Sequence, residues 1–136
     1  MERIFVILLD THVIIWDALA PERLSKHAQQ AILQANESGG ILVCDISLWE
    51  IAMLIKKGRV QVDVDCQSFI NLVIEANRIV VQQITPQIAT LAVELPDVIN
   101  QDPADRLIAA TALAEDSPLL TADRNLLAAA QIPTIW

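Results

Sequence analysis

The apolar positions of this chain fall into short unbroken runs separated by stretches of helical period. Ile4–Leu9 and Ile41–Cys44 are wholly apolar and too short for helices, so they read as strands buried on both faces. Ile79–Ile84, Leu119–Thr121 and Pro133–Trp136 are further strand candidates. Helix candidates lie between them at Thr11–Leu19, Ser25–Asn36, Ser47–Lys57, Cys66–Asn77, Pro86–Leu95, Pro103–Glu115 and Arg124–Gln131. Ser25 is placed as an N-cap, Gly58 as a stop, and Pro86 in a first turn. Alternating buried strands and helices predict an α/β fold, a three-layer α/β/α arrangement with a central parallel sheet. No repeat, low-complexity tract or linker divides the sequence, so residues 1–136 read as one domain. The 3 glycines are too few for a hairpin-rich β architecture.

In open parallel sheets, ligands bind beyond the carboxyl ends of the strands. Asp10 ends the run ILLD, and Asp123 follows PLLTA. Glu50 falls in the first turn of the helix after ILVCD, and Asp105 in the first turn of the helix opened by DPADR. Asp10, Glu50 and Asp123 therefore converge on one edge. Asp105 joins them if its helix also starts there, since a helix rather than a strand precedes it.

Each acid has a plain alternative reading. Ser47 to Glu50 is a formal capping box, Asp102 could cap a helix with Asp105 at its third position, and Asp10 and Asp123 could cap theirs. Taken together the four say more than capping, because Ser, Thr or Asn would cap without adding charge. Four crowded carboxylates repel, and a hard cation relieves them. An all-oxygen donor set suits Mg²⁺ or Mn²⁺, which polarises phosphoryl oxygens and activates water for phosphodiester hydrolysis.

Other chemistries find little support. Cys44 and Cys66 form no disulfide framework or CxxC pair, and His12 and His27 lack a zinc-ligand spacing. The N-terminal apolar stretch is too short for a signal peptide, and no run is long enough to span a membrane; the expected compartment is the cytoplasm.

The net charge of −8 opposes nucleic-acid binding, so any contact with a nucleic acid has to rest on a local cationic patch. Lys56, Lys57 and Arg59 form one cluster. Arg106 and Arg124 each follow a candidate metal-binding acid in a helix's first turn, where a cation opposes the dipole; a phosphate contact and an internal ion pair are the two readings for them. His12 reads as a packing or backbone-bonded residue ahead of a general base. Trp16, Trp49 and Trp136 read as core or dimer-contact residues.

The segments LLDTHVIIW (Leu8–Trp16), ERLS (Glu22–Ser25), SLWEIA (Ser47–Ala52), KKGRV (Lys56–Val60), DPADRLIAATA (Asp102–Ala112) and LLTADRNL (Leu119–Leu126) resemble PIN-domain proteins, specifically the VapC-like toxins of type II toxin–antitoxin systems. They occur in family order and span nearly the whole chain. The resemblance implies a PIN-like α/β/α fold with metal-binding, catalytic acids at Asp10, Glu50, Asp105 and Asp123. It implies Mg²⁺- or Mn²⁺-dependent cleavage of RNA, a cognate antitoxin protein and a homodimer. Thr11 and Thr121 fall where the family often carries hydroxyls near these acids. Asn100-Gln101, Leu54 and Cys44 depart from the pattern that relatives often show as His-Arg, Lys and Ser; these departures bear on substrate contacts, not on the four acids.

A catalytically weak PIN-fold interaction module is the alternative, although the full set of acids argues against it. A receiver-like phosphoacceptor domain would need paired acids after the first strand, where this chain has Asp10-Thr11. A flap-type DNA nuclease would need more chain for a helical arch.

Overall fold

The computed structural model describes residues 5–136. Five strands form one sheet: β1 (Val6–Leu9), β2 (Gly40–Cys44), β3 (Ile79–Gln82), β4 (Leu119–Leu120) and β5 (Thr134–Ile135). Their order is β3-β2-β1-β4-β5, and every neighbouring pair is parallel. Seven helices connect and cover them: α1 (Thr11–Leu19), α2 (Lys26–Glu37), α3 (Asp45–Lys56), α4 (Cys66–Ala76), α5 (Pro86–Glu94), α6 (Pro103–Ala114) and α7 (Arg124–Ala128). The α/β/α expectation holds, and most boundaries fall within a residue or two of those read from the pattern. Ile4 lies outside the described residues.

Two apolar clusters flank the sheet. One joins Ile7, Leu9, Ile41 and Val43 to α1, α2 and α4 through Val13, Ile14, Ala28, Ile32, Phe69 and Val73. The other joins Leu8 and Leu119 to α5 and α6 through Ile88, Ala92, Ile108 and Ala112. Alternate residues of β1 thus feed opposite layers, as the two-residue period of a strand requires. Because β1 is central, Ile7, Leu8 and Leu9 are essentially sealed from solvent. Cys44 is likewise buried in the second cluster, as a free thiol in an apolar run should be.

The start of α3 differs from expectation. It opens at Asp45, directly after β2, with Cys44 at the cap position, so the Ser47–Glu50 capping box does not form. The Asp45 carboxylate instead accepts from the Ile84 backbone N–H at 3.2 Å, tying the end of β3 to α3. Glu50 consequently sits in the second turn, and Ser47 is buried. A single 3₁₀ turn, Pro21–Arg23, links α1 to α2 and was not anticipated. No helix among the described residues is long and apolar enough to cross a membrane.

Candidate active site

The parallel sheet places the ends of β1, β2 and β4 along one edge, and α1, α3 and α7 start just beyond them. A cavity of about 430 Å³ opens there, and Asp10, Glu50, Asp102, Asp105 and Asp123 all line it. The α6 N-terminus does reach this edge, so all four expected acids come together, with Asp102 added.

Asp10 is held most tightly, with only 7% of its surface exposed. Its Oδ1 accepts from the Thr11 backbone N–H at 2.8 Å, and its Oδ2 accepts from Thr121 Oγ1 at 2.7 Å. Thr121 Oγ1 in turn accepts from the Asp123 N–H at 3.0 Å, so one hydroxyl fixes two of the acids. Thr11 Oγ1 lies 2.5 Å from Glu50 Oε1 and 2.9 Å from Ser47 Oγ. With a single proton, it donates to the carboxylate and accepts from the serine. Both expected supporting threonines therefore bond directly to the acids.

Capping and site-lining coexist in this arrangement. Asp123 caps α7 through Oδ1 alone, which accepts from Asn125 and Leu126 N–H at 2.9 and 3.1 Å. Asp102 caps α6 in the same way, its Oδ1 accepting from Ala104 and Asp105 N–H at 2.8 and 3.2 Å. Asp105, inside that first turn, accepts from Asn100 Nδ2 at 2.9 Å. Asn100 is itself pinned: its Oδ1 accepts from the Asp102 N–H at 3.0 Å, and its backbone carbonyl accepts from Arg106 Nη1 at 2.9 Å.

The electrostatics are those of a pocket in which carboxylates outnumber cations. Burial raises the Asp105 carboxyl to about 7, reinforced by the charges of Asp10, Asp102, Glu50 and Asp123. Burial also raises Glu50, with Asp102 and Asp10 adding to the effect and the Thr11 hydroxyl opposing it. Asp10 is raised by burial as well, against its bonds from Thr121 and Thr11. Three carboxyls pushed the same way mark a pocket that favours added positive charge. The donors are all oxygens, the set a hard divalent cation takes. The acids stand on the walls rather than closed into a cage: among the described residues, no three His, Cys, Asp or Glu side chains are grouped tightly enough to hold a metal ion.

The cationic candidates separate. Arg106 is not available to a ligand: its guanidinium donates to the carbonyls of Ala92 at 2.9 Å, Val93 at 3.1 Å, Leu95, and Asn100, all at the end of α5 and the loop after it. It also pairs with Asp97 at 3.6 Å, and its side chain is 12% exposed. Of its two readings the internal one is the one the structure shows, an ion pair with Asp97 joined to a brace on the α5–α6 connection, and the phosphate contact is corrected. Arg124, Lys56, Lys57 and Arg59 are exposed. Trp49 is 57% exposed and so is no core residue, whereas Trp16 and Trp136 are partly buried against the first cluster.

Three residues at the pocket were missed as site residues. Asp102 was read only as a cap. His12 is exposed at the pocket, its ring 6.0 Å from that of Trp16. Arg23, from the unanticipated 3₁₀ turn, lies over the Trp16 ring at 4.6 Å and also lines the cavity.

These features define a class of protein: a parallel α/β sheet with a carboxylate pocket at the carboxyl edge of its central strands. The chain belongs to the PIN domain family, which matches residues 7–132. It is 42% identical over 120 residues to ribonuclease VapC22 of Mycobacterium tuberculosis, covering 88% of each chain. Among solved structures it is similar to VapBC2 from Rickettsia felis bound to a promoter DNA fragment, with a TM-score of 0.73, 16% identity, and 96% and 97% of the two chains covered. It is also similar to a toxin–antitoxin complex from Klebsiella pneumoniae, with a TM-score of 0.65, 18% identity, and 92% and 93% covered.

Proposed function

We propose that this chain is a metal-dependent endoribonuclease, the toxin half of a toxin–antitoxin pair, acting in the cytoplasm as a homodimer. The observation that carries this reading is the pocket at the sheet edge, where five carboxylates converge and burial with mutual repulsion drives Asp105 to about 7. Homology to a VapC ribonuclease supports the substrate class, and likeness to toxin–antitoxin complexes supports a protein antitoxin.

Asp10, Glu50, Asp105 and Asp123 are the residues that would hold one or two divalent ions. Bound there, Mg²⁺ or Mn²⁺ supplies Lewis acidity toward a phosphoryl oxygen and a nucleophilic water at neutral pH. The chain supplies orientation. Thr121 and the Thr11 N–H fix both oxygens of Asp10, the Thr11 hydroxyl fixes Glu50, and Asn100 fixes Asp105. Asp123 and Asp102 each cap a helix through one oxygen and also line the pocket.

The test is cleavage of RNA by purified, antitoxin-free protein with Mg²⁺, Mn²⁺ or EDTA, alongside Asp10→Asn. Cleavage that needs metal and disappears in the variant, leaving 5′-phosphate and 3′-hydroxyl ends, supports the reading. Cleavage undiminished by EDTA or by Asp10→Asn overturns it.

A further inference from the structure

The acidic pocket does not end at the acids. A groove of about 500 Å³ continues from it, sharing His12, Trp16, Arg23, Glu50 and Asp102. One wall is the α1 stripe His12, Ile15, Trp16 and Leu19; the other is Glu50, Met53 and Leu54 from α3, with Lys57 at its C-cap. Both sets are spaced i, i+3, i+4, i+7, the spacing of one helix face, so the groove is the valley between two packed helices. Along α3, Lys57 lies roughly 10 Å from Glu50 at the helical rise.

The valley carries a specific chemistry. Arg23, Lys57 and Arg59 line it, three of only 9 Lys and Arg in a chain of net charge −8. Among the described residues the one ion pair is Arg106–Asp97, so none of these three cations is neutralised by a carboxylate within ion-pair distance. Arg23 lies over the Trp16 ring at 4.6 Å rather than in an ion pair. Between the cations the walls carry Ile15, Leu19, Met53, Leu54 and Val60, and the acids Glu50 and Asp102 stand at the end shared with the pocket. Unpaired cations, an aromatic ring and apolar walls, opening into a hydrolytic pocket, match an unpaired nucleic-acid strand, whose phosphates need charge and whose bases need flat surfaces. A duplex would offer this valley no exposed base faces.

We propose that this groove holds the single-stranded RNA flanking the scissile bond, with Arg23, Lys57 and Arg59 on its phosphates and the Arg23–Trp16 pair against a base. The assignment rests on the ribonuclease reading and locates the strand within it. Continuity with the pocket favours the substrate strand over a protein segment, because the reacting phosphodiester has to lie where the groove begins.

The experiment is fluorescence anisotropy of a short labelled single-stranded RNA of mixed sequence, titrated with full-length protein in EDTA across a salt series. Wild type is compared with Arg23→Gln, Lys57→Gln, Arg59→Gln, their combination, and Lys26→Gln, an exposed lysine on α2 that lines neither cavity. Each groove variant is expected to weaken binding and to flatten the slope of log K against log salt by about 0.7, and the combination by about 2. Lys26→Gln is expected to leave the slope at the wild-type value. With metal restored, groove variants should raise KM for RNA and leave kcat within about twofold, as loss of uniform binding does. A combined variant that is folded by circular dichroism yet keeps the wild-type affinity and slope overturns the assignment, leaving the groove to a protein segment. If wild type neither binds nor cleaves RNA, the ribonuclease reading falls with it; cleavage by wild type with unaffected groove variants removes the groove alone.

Discussion

Thr121 donates its hydroxyl to Asp10 Oδ2 at 2.7 Å, joining the end of β4 to the end of β1 across 111 positions of sequence. Thr121 Oγ1 also accepts the Asp123 N–H, so the relationship sets two site acids with one buried side chain. Thr121→Val keeps the volume but leaves a buried carboxylate oxygen without its donor. Metal affinity should fall about 10- to 100-fold, the usual effect of removing a group that orients a ligand. Stability of the metal-free protein should fall by about 1–3 kcal/mol. Thr121→Ser should restore most of both. Calorimetric Mn²⁺ titration and urea unfolding read the two effects separately.

The Asn100 side-chain amide holds Asp105 while its backbone carbonyl is held by Arg106. Asn100→Ala should weaken Mn²⁺ binding by about tenfold or more, with little change in unfolding midpoint, because the bond orients a pocket carboxylate rather than a core group. Unchanged Mn²⁺ affinity would show that Asp105 needs no such support.

Arg106 braces the carbonyl end of α5 and should matter to folding rather than to RNA contact. Arg106→Ala removes a charged donor from several carbonyls and should cost about 2 kcal/mol or more. Arg106→Lys should recover little, because a lysine ammonium cannot reproduce the planar fork. Urea unfolding tests both, and RNA affinity of the folded fraction should be unaltered.

The pocket's pH dependence has a definite direction. Asp105 is raised from 3.8 to about 7, so between these values the folded protein binds a proton that the unfolded chain has released. Stability of the metal-free protein therefore declines as pH rises through that window and levels off above it. Asp10 and Glu50, also raised, act in the same direction. Urea midpoints should fall from pH 5 to pH 8 in EDTA, and Asp105→Asn should flatten that decline. A midpoint that rises over this range would contradict the assignment of a strained acidic pocket.

The fold was legible because the strands are short and wholly apolar, and their ends place the acids without any tertiary knowledge. Asp10 and Asp123 were fixed by strand–helix junctions that the sequence displays directly. Asp105 needed the α6 N-terminus to reach the same edge, which only the packing of α5 on α6 decides. The start of α3 was misplaced because Ser47 and Glu50 satisfy a capping pattern, while Asp45 bonds to Ile84 across 39 positions, beyond the reach of a local rule. Arg106 was left between two readings for a related reason: besides Asp97 its partners are carbonyls 6 to 14 residues earlier, and backbone acceptors leave no mark in composition. Arg23 was overlooked because the 3₁₀ turn that presents it is too short for a hydrophobic period.

The central claim is that acids which also cap helices form a divalent-cation site, and Mn²⁺ binding tests it most directly. Calorimetric titration of purified, antitoxin-free protein should compare wild type with Asp10→Asn and with Asp65→Asn, an exposed N-cap on α4 that does not line the pocket. The account predicts Mn²⁺ binding by wild type and Asp65→Asn alike, and its loss in Asp10→Asn. Binding absent from wild type, or equally strong in Asp10→Asn, would mean that the acids at the sheet edge form no divalent-cation site.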